Sequence, residues 1–597
     1  MMFRISKKWI SIILSICLIM TFLLTGCSSK GEEKADLVVY GTIYTAEEEG
    51  SELAEAFAVK NGKYVYVGDR KGVEKFIQKG KTEVVDRTGE GLIIPGCTEG
   101  HSHYFGVYGI SNMLPGYKCS YEEVKTIIQN EFKEKGTDMK QFVSFGINPG
   151  ELMALMFTDI NFADELESIA PGIPIVLLDD SCHAAACSVT ALKMAGLLDN
   201  PSIRGGAVEL DSEGRPNGYI KDQAVGYVMD KAIDNPLTDE KLKEACKMAV
   251  DRLHEMGYTS AMDAWINLFP VSSISKILKE MDASGELTVN LSSCYNIKSY
   301  DAENYKAKVD YVASLNSDYQ SSHYHPGYIK LFADGVTESG TGWLIDGYNE
   351  TEDGEKKYGN IIWEQDELNS LVQYANSKGI LVHTHSFGDG ACKSLIDAYI
   401  ASNEANNGTF RNCLGHVRNI RQEDVIRAAN NKIPIAENML WHTDYDENDP
   451  EKMIEKEYIL GIVPEGIYYN GYPMKSLISN GVNMSSSTDA PVAETLEGNI
   501  MNVMEAATTG QAPGSGEKSF VESELLTVKE ALQALTINGA WQLGLEDERG
   551  SIKTGKYADF VVLDKNILDY TAEQLRTIHD TKIVDTYFEG NKVYSAQ

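Results

Sequence analysis

Two histidines one residue apart, His101-Ser102-His103, close an apolar run that begins at Leu92. In an extended chain, residues i and i+2 point to the same side, so both imidazoles can reach one cation. Two surface histidines beside a turn would look the same, and the pair alone does not specify a metal. Further donors follow in order along the chain. Lys330 in YIKLFADG, His385 in LVHTHSFGD, His416 in LGHV and Asp489 in SSSTDAP each sit at the end of an apolar, strand-like run. Imidazole nitrogens and carboxylate oxygens are common donors to divalent metals. Single polar residues at strand ends often only cap or hydrogen-bond. Five strand ends supplying two, one, one, one and one such groups in succession are hard to explain that way. The chemistry they support is attack of a metal-activated hydroxide on a carbonyl. Asp489, a carboxylate beside the cation, would move the proton.

Lys330 shares a strand face with Phe332 and Asp334, while Ile329 and Leu331 take the other, so its ammonium points among apolar walls. An inward lysine is costly unless it is paired or neutralised. Pairing with an acidic neighbour is one reading. Reaction of the neutral amine with carbon dioxide is the other, giving an anionic, bidentate carbamate. Trp343 after the Lys330 strand and His442 beside Trp441 are candidate pocket-lining residues. His383, two before His385, is expected deeper on the same inward face in a hydrogen-bonding role. His254, His323, His325 and His579 read as surface residues.

These residues need a scaffold that brings strand ends together. Eight apolar strand candidates are present: 92–99, 259–265, 287–295, 328–334, 380–385, 412–416, 433–437 and 482–488. Most are separated by helical patterns, such as 239–256, 366–378 stopped by Gly379, and 423–430. Eight strands alternating with helices predict an α/β fold, a (β/α)8 TIM barrel with its polar residues at the C-terminal strand ends. Residues 104–238 are too long for one crossover and hold strand-like runs at 141–145 and 173–178, so they read as an insertion after barrel strand 1. The two ends of the chain are β-rich. Phe57 and Val59 face Tyr64 and Tyr66 around Asn61-Gly62, a pair suited to a tight hairpin, and Gly590-Asn591 repeats the style. The expected organisation is a small β-sandwich built from 37–94 and the end of 521–597, around a barrel spanning 95–520.

Composition narrows the partners. The chain has 597 residues, with 54 basic against 88 acidic side chains and a net charge of -34, which would repel a phosphate backbone and argues against nucleic-acid binding. Residues 1–27 read as a targeting segment: Arg4, Lys7 and Lys8, an apolar run from Trp9 to Leu24, then Leu24-Thr25-Gly26-Cys27. The segment resembles a bacterial lipoprotein signal, which would make Cys27 the lipidated first residue of an extracytoplasmic, membrane-anchored protein. Residues 28–36 then form a polar tether. A plain secretory signal or a retained anchor helix is the alternative. Of ten cysteines, Cys17 lies in the signal and Cys27 is reserved for lipid; the other eight are scattered without CxxC spacing, which favours no disulfide framework.

From about residue 36 to the end the chain resembles amidohydrolase family 3, the YtcJ-like type close to N-substituted formamide deformylases. IIPGCTEGHSH is similar to the family's PGFxDxHxH, GYIKLFADG to its lysine strand, and HSFGDGA to its HAIGDRA. LGHV, STDAPV and GSIKTGKYADFVVLD are similar to IEH, GSDxPV and the closing segment of the outer β domain. The resemblance implies two divalent metals, usually zinc: His101, His103 and Asp489 on one, His385 and His416 on the other, and carboxylated Lys330 between them. It also implies a substrate-facing His183, in DDSCHAAACSVTALK. The expected activity is cleavage of a non-peptide carbon–nitrogen bond in a small molecule. An esterase, lactonase or phosphotriesterase on the same barrel, or a non-catalytic lipoprotein, is the alternative, and a homo-oligomer is left open. Around the ligands the chain departs from the pattern. Glu99 stands for an aspartate, Asp222 for a glutamate, Gly390 for the arginine of HAIGDRA, and Leu414-Gly415 for the residues before the IEH histidine.

Overall fold

The structure, a computed structural model, describes residues 34–47, 53–156, 158, 160–351, 353–443, 450–491, 498–515 and 519–596. The targeting segment, Cys27 and the first six tether residues lie outside them. Ala35 and Asp36, expected in the tether, are docked: Asp36 N–H donates to Val59 C=O at 2.8 Å. Among the described residues no helix is long and apolar enough to cross a membrane.

The barrel is an eight-stranded parallel sheet in chain order: Cys97–Ser102, Tyr258–Asp263, Asn290–Asn296, Tyr324–Phe332, Leu381–Ser386, Cys413–His416, Ile435–Glu437 and Met484–Ser486. These are barrel strands 1 to 8 below. Most of their residues are fully buried, because a parallel sheet wrapped by helices has both faces covered. The helices start where the sequence offers caps. Thr238 accepts from Lys241 N at the head of Asp239–Glu255, and Glu364 forms a capping box with Glu367 before Gln365–Ser377.

Two strand boundaries differ most from expectation. The run 92–99 divides: Leu92–Pro95 pairs antiparallel with Phe560–Leu563 in the outer sheet, and barrel strand 1 begins at Cys97. Barrel strand 4 begins at Tyr324, four residues early, and includes His325. Strands 8 and 1 are joined at their ends by side chains as well as backbone. Asp489 N–H donates to His101 C=O at 2.9 Å, while the Glu99 carboxylate accepts from Thr488 N at 3.0 Å and Thr488 Oγ1 at 2.9 Å.

Both ends of the chain supply the outer β domain, whose eight described strands lie on one hydrogen-bonded sheet. Asn61 (φ 51°) and Gly62 (φ 77°) turn the hairpin between Leu53–Lys60 and Lys63–Gly68. Its centre is aromatic: Phe57 packs edge-on against Tyr64 and Phe560, and Phe560 stacks on Tyr587 at 4.1 Å. Between barrel strands 1 and 2 a five-stranded sheet runs in the order Gly206–Leu210, Pro216–Asp222, Ala184–Cys187, Ile175–Asp179, Phe142–Ile147.

The histidines read as surface residues are not free on the surface. His254 is buried with Nε2 2.8 Å from Thr288 O. His323 bridges Asp282 and Glu589, His325 lies in strand 4, and His579 Nδ1 sits 2.7 Å from Glu505. Partners on other segments claim His254, His323 and His579, and local polarity gave no sign of that.

Candidate active site

Barrel strands 1, 4, 5, 6 and 8 bring His101, His103, Lys330, His385, His416 and Asp489 into one buried cluster at the C-terminal mouth. Asp489 Oδ1 lies 3.2 Å from His101 Nε2 and 3.0 Å from His103 Nε2. Lys330 Nζ is 3.0 Å from His101 Nε2. The rings of His101 and His416 are centred 4.4 Å apart, those of His385 and His416 4.8 Å. Donor atoms of His101, His416 and Asp489 all lie within 4.8 Å of one another.

Neighbours set the ring orientations. His416 Nδ1 is 2.9 Å from Asn438 Oδ1, which fixes a proton on Nδ1 and leaves Nε2 for the cluster. Trp441 stacks on the same ring at 5.7 Å, nearly parallel. His383 lies one layer deeper, with Nε2 2.7 Å from His101 Nδ1. Two of the clustered residues adopt left-handed backbone, His416 at φ 75° and Asp489 at φ 61°. Non-glycine residues there cost about 1–3 kcal/mol each, a strain typical of functional sites.

Two departures from the family pattern have local causes. A Cβ on Gly415 would stand 2.7 Å from His101 Nδ1, so the His101–His383 pair needs glycine there. A Cβ on Gly390 would meet the Trp343 indole at 2.7 Å, so the tryptophan leaves no room for a side chain at that position.

Burial holds His101, His383, His385 and His416 well below the usual imidazole range, with the Lys330 ammonium acting in the same direction. Burial opposes ionisation of Asp489, but His416, His101 and His103 outweigh it and keep the carboxyl well below its usual range. Burial also lowers Lys330 to about 8. His101, His385 and His416 are therefore neutral imidazoles beside an ionised carboxylate, and His103 Nδ1 and His385 Nδ1 are buried and without hydrogen-bond partners among the described residues. This donor chemistry fits a divalent cation.

The cavity above the cluster is walled by Ser181, Cys182, His183, Trp265 and Phe332. His183 comes from the inserted segment, and its Nδ1 lies 2.8 Å from Asp222 Oδ1. Trp343 and His442 do not line the cavity. Trp343 backs the Gly388 and Gly390 backbone, and His442 is fully buried, with Nε2 3.3 Å from Val521 O.

Two aspartates hold the mouth in shape: Asp263, which no motif marks, and Asp334, which the sequence shows only as sharing a face with Lys330. Asp263 accepts from Phe105 N, Gly106 N and Trp265 N. Asp334 accepts from Trp343 N, Phe387 N and Gly388 N, although burial raises its carboxyl to about 7. An aspartate ending or just following an apolar strand was the available signal for both.

Fold and site together define a (β/α)8 barrel with a cation-type donor cluster at its catalytic end. The chain belongs to the amidohydrolase family, whose model matches residues 83–594, and is a hydrolase by class. It is 26% identical to YtcJ of Bacillus subtilis over 559 residues, covering 93% of this chain and 98% of that one. To the N-substituted formamide deformylase of Arthrobacter pascens it is 23% identical over 572 residues, covering 93% and 97%. The solved structure of an uncharacterized metal-dependent hydrolase from Pyrococcus horikoshii shares the fold, with a TM-score of 0.67 at 21% identity over 90% of this chain and 99% of that one.

Proposed function

We propose that this protein cleaves an amide-type, non-peptide carbon–nitrogen bond of a small uncharged molecule, using divalent metal held by His101, His103, His385, His416 and Asp489. The observation that carries the reading is the buried convergence of His101, His103 and His416 on the Asp489 carboxylate. The proposed form is two zinc ions, which these residues would hold together with Lys330 in its carboxylated form. An amine lowered to about 8 is partly neutral at physiological pH, as carbamate formation requires. Such a centre, when bound, makes water nucleophilic near neutral pH and polarises the scissile carbonyl.

The chain's own groups supply the rest. Asp489 Oδ1, between His101 and His103, is placed to take the proton from the attacking water and return it to the leaving nitrogen. Trp265 and Phe332, 5.2 Å apart and edge-on, wall the acyl side and exclude bulk water. His183, oriented by Asp222, faces the substrate from the inserted segment. The formamide deformylase relative supports an N-substituted amide as substrate class.

The test is a parallel assay of N-acyl amides, cyclic amides and aryl esters with metal analysis of the same sample. Chelator-sensitive amide hydrolysis with two zinc per chain is expected. Hydrolysis of esters alone would overturn the assigned bond class, and protein without metal or hydrolysis would overturn the enzyme. We also propose a lipid anchor at Cys27, placing the enzyme outside the cytoplasmic membrane. Cys27→Ser should move it from the membrane fraction to the soluble one, and unchanged membrane association would rule the anchor out.

A further inference from the structure

Five of the eight barrel strand ends carry candidate ligands; strands 2 and 3, between His103 and Lys330, carry none. Trp265 follows strand 2 and lines the cavity, and its buried Nε1–H has no hydrogen-bond partner among the described residues. Asn296 ends strand 3 at 2% exposure, and both polar atoms of its side chain, Oδ1 and Nδ2, are buried and likewise without partners. The direction of Asn296 follows from register. It pairs with Lys330 across strands 3 and 4, and paired residues of a parallel ladder project to the same face. Lys330 points into the mouth, onto His101.

The Asn296 backbone is clamped. Its N–H donates to Asn267 Oδ1 at 2.7 Å, and its C=O accepts from Asn267 Nδ2 at 3.4 Å. The side chain is therefore presented from a fixed point. An unpartnered buried donor or acceptor destabilises a fold, and three such atoms on adjoining strand ends are a large cost where leucine and phenylalanine would serve.

We propose that Asn296, beside Lys330 on the strand 3 side of this site, and the Trp265 indole N–H read a substrate amide whose C=O and N–H lie on one edge, two donors meeting carbonyl oxygen and the Asn296 Oδ1 accepting an N–H. An ester, lactone or phosphotriester has no N–H to offer that acceptor, so the subsite selects a lactam, a ureide or a primary amide. The inference rests on the proposed amide hydrolysis at this site and adds the residues that choose the bond.

The test uses the metal-loaded full chain and a matched pair of probes, the amide δ-valerolactam and the ester δ-valerolactone, with binding measured by calorimetry and hydrolysis scored separately. The wild type should bind the amide at least tenfold more tightly than the ester. Asn296→Leu should bring that ratio close to one, and Trp265→Phe, which keeps the aromatic wall, should weaken both probes. The ligand-free melting temperature of Asn296→Leu should be unchanged or higher, because an unpaired polar group has been removed from the interior. An amide-to-ester ratio unchanged in Asn296→Leu overturns the proposal. So does a wild type that binds both probes equally, or a variant that melts several degrees lower while keeping the ratio, which marks a structural residue. Amide binding that depends on Asn296 without amide cleavage keeps the subsite and overturns the hydrolytic reading. Equal amide cleavage by wild type and variant does the reverse.

Discussion

At the scale of single residues, Asp489 and Gly415 carry the sharpest expectations. Asp489 touches two histidines of the cluster and is the proposed proton carrier. Asp489→Asn should lower kcat by about 10²–10⁴ while metal analysis shows the ions largely retained; full turnover in that variant would remove the role. Gly415 matters for another reason. Its missing side chain is what lets His101 Nδ1 approach His383, so Gly415→Ala should push the imidazole aside. Disturbing a group that orients a metal ligand typically costs about 10–100-fold in affinity or activity. Metal titration on Gly415→Ala should show that loss without general unfolding, and a normal titration would contradict it.

The elements are joined at the mouth by carboxylates as much as by loops. Asp334, just past strand 4, gathers three backbone N–H groups from two other segments, Trp343 and the Phe387-Gly388 turn after strand 5. Removing it strands donors in the interior, each costing about 1–3 kcal/mol. Asp334→Ala should therefore lose about 3 kcal/mol or more in denaturant unfolding and weaken the site through His385, whose strand runs into that turn. A loss under about 0.5 kcal/mol would show that the turn holds without it. How much of this was legible is instructive. Strand count and the polar residues at the ends of strands 1, 4, 5, 6 and 8 could be read from the chain, because period-two alternation and order along a barrel are local properties. Asp334 was legible as a residue on an inward face. Its three partners were not, since they come from sequence far beyond the strand.

For the whole molecule, His323 is one of the links between barrel and outer β domain. Its Nδ1 lies 2.7 Å from Asp282, on the barrel helix Ile274–Ser284, and its Nε2 3.0 Å from Glu589 in the C-terminal hairpin. Burial disfavours the charged ring, but Glu589 and Asp282 outweigh it and raise its pKa above the ordinary value. A raised pKa in the folded state means stability is fully present below the unfolded value, about 6.5, and is lost as pH rises through the folded one. The melting-temperature gap between wild type and His323→Gln should be widest near pH 6 and narrow toward pH 9. A gap that does not change with pH would mean the ring contributes by packing alone.

The sequence by itself determined the barrel, the order of its donors and the β-rich ends. Burial pattern, strand spacing and residue type are written along the chain and need no partner to be read. Only the tertiary structure decided which histidine faces which atom, why Gly415 and Gly390 replace larger residues, and that Asn296 and Trp265 point unpaired polar atoms inward near the cavity. Those facts depend on distances between segments up to hundreds of residues apart, which close packing fixes to fractions of an ångström and sequence spacing does not encode. Asp489, 388 positions after His101 along the chain, ends 3.2 Å from it.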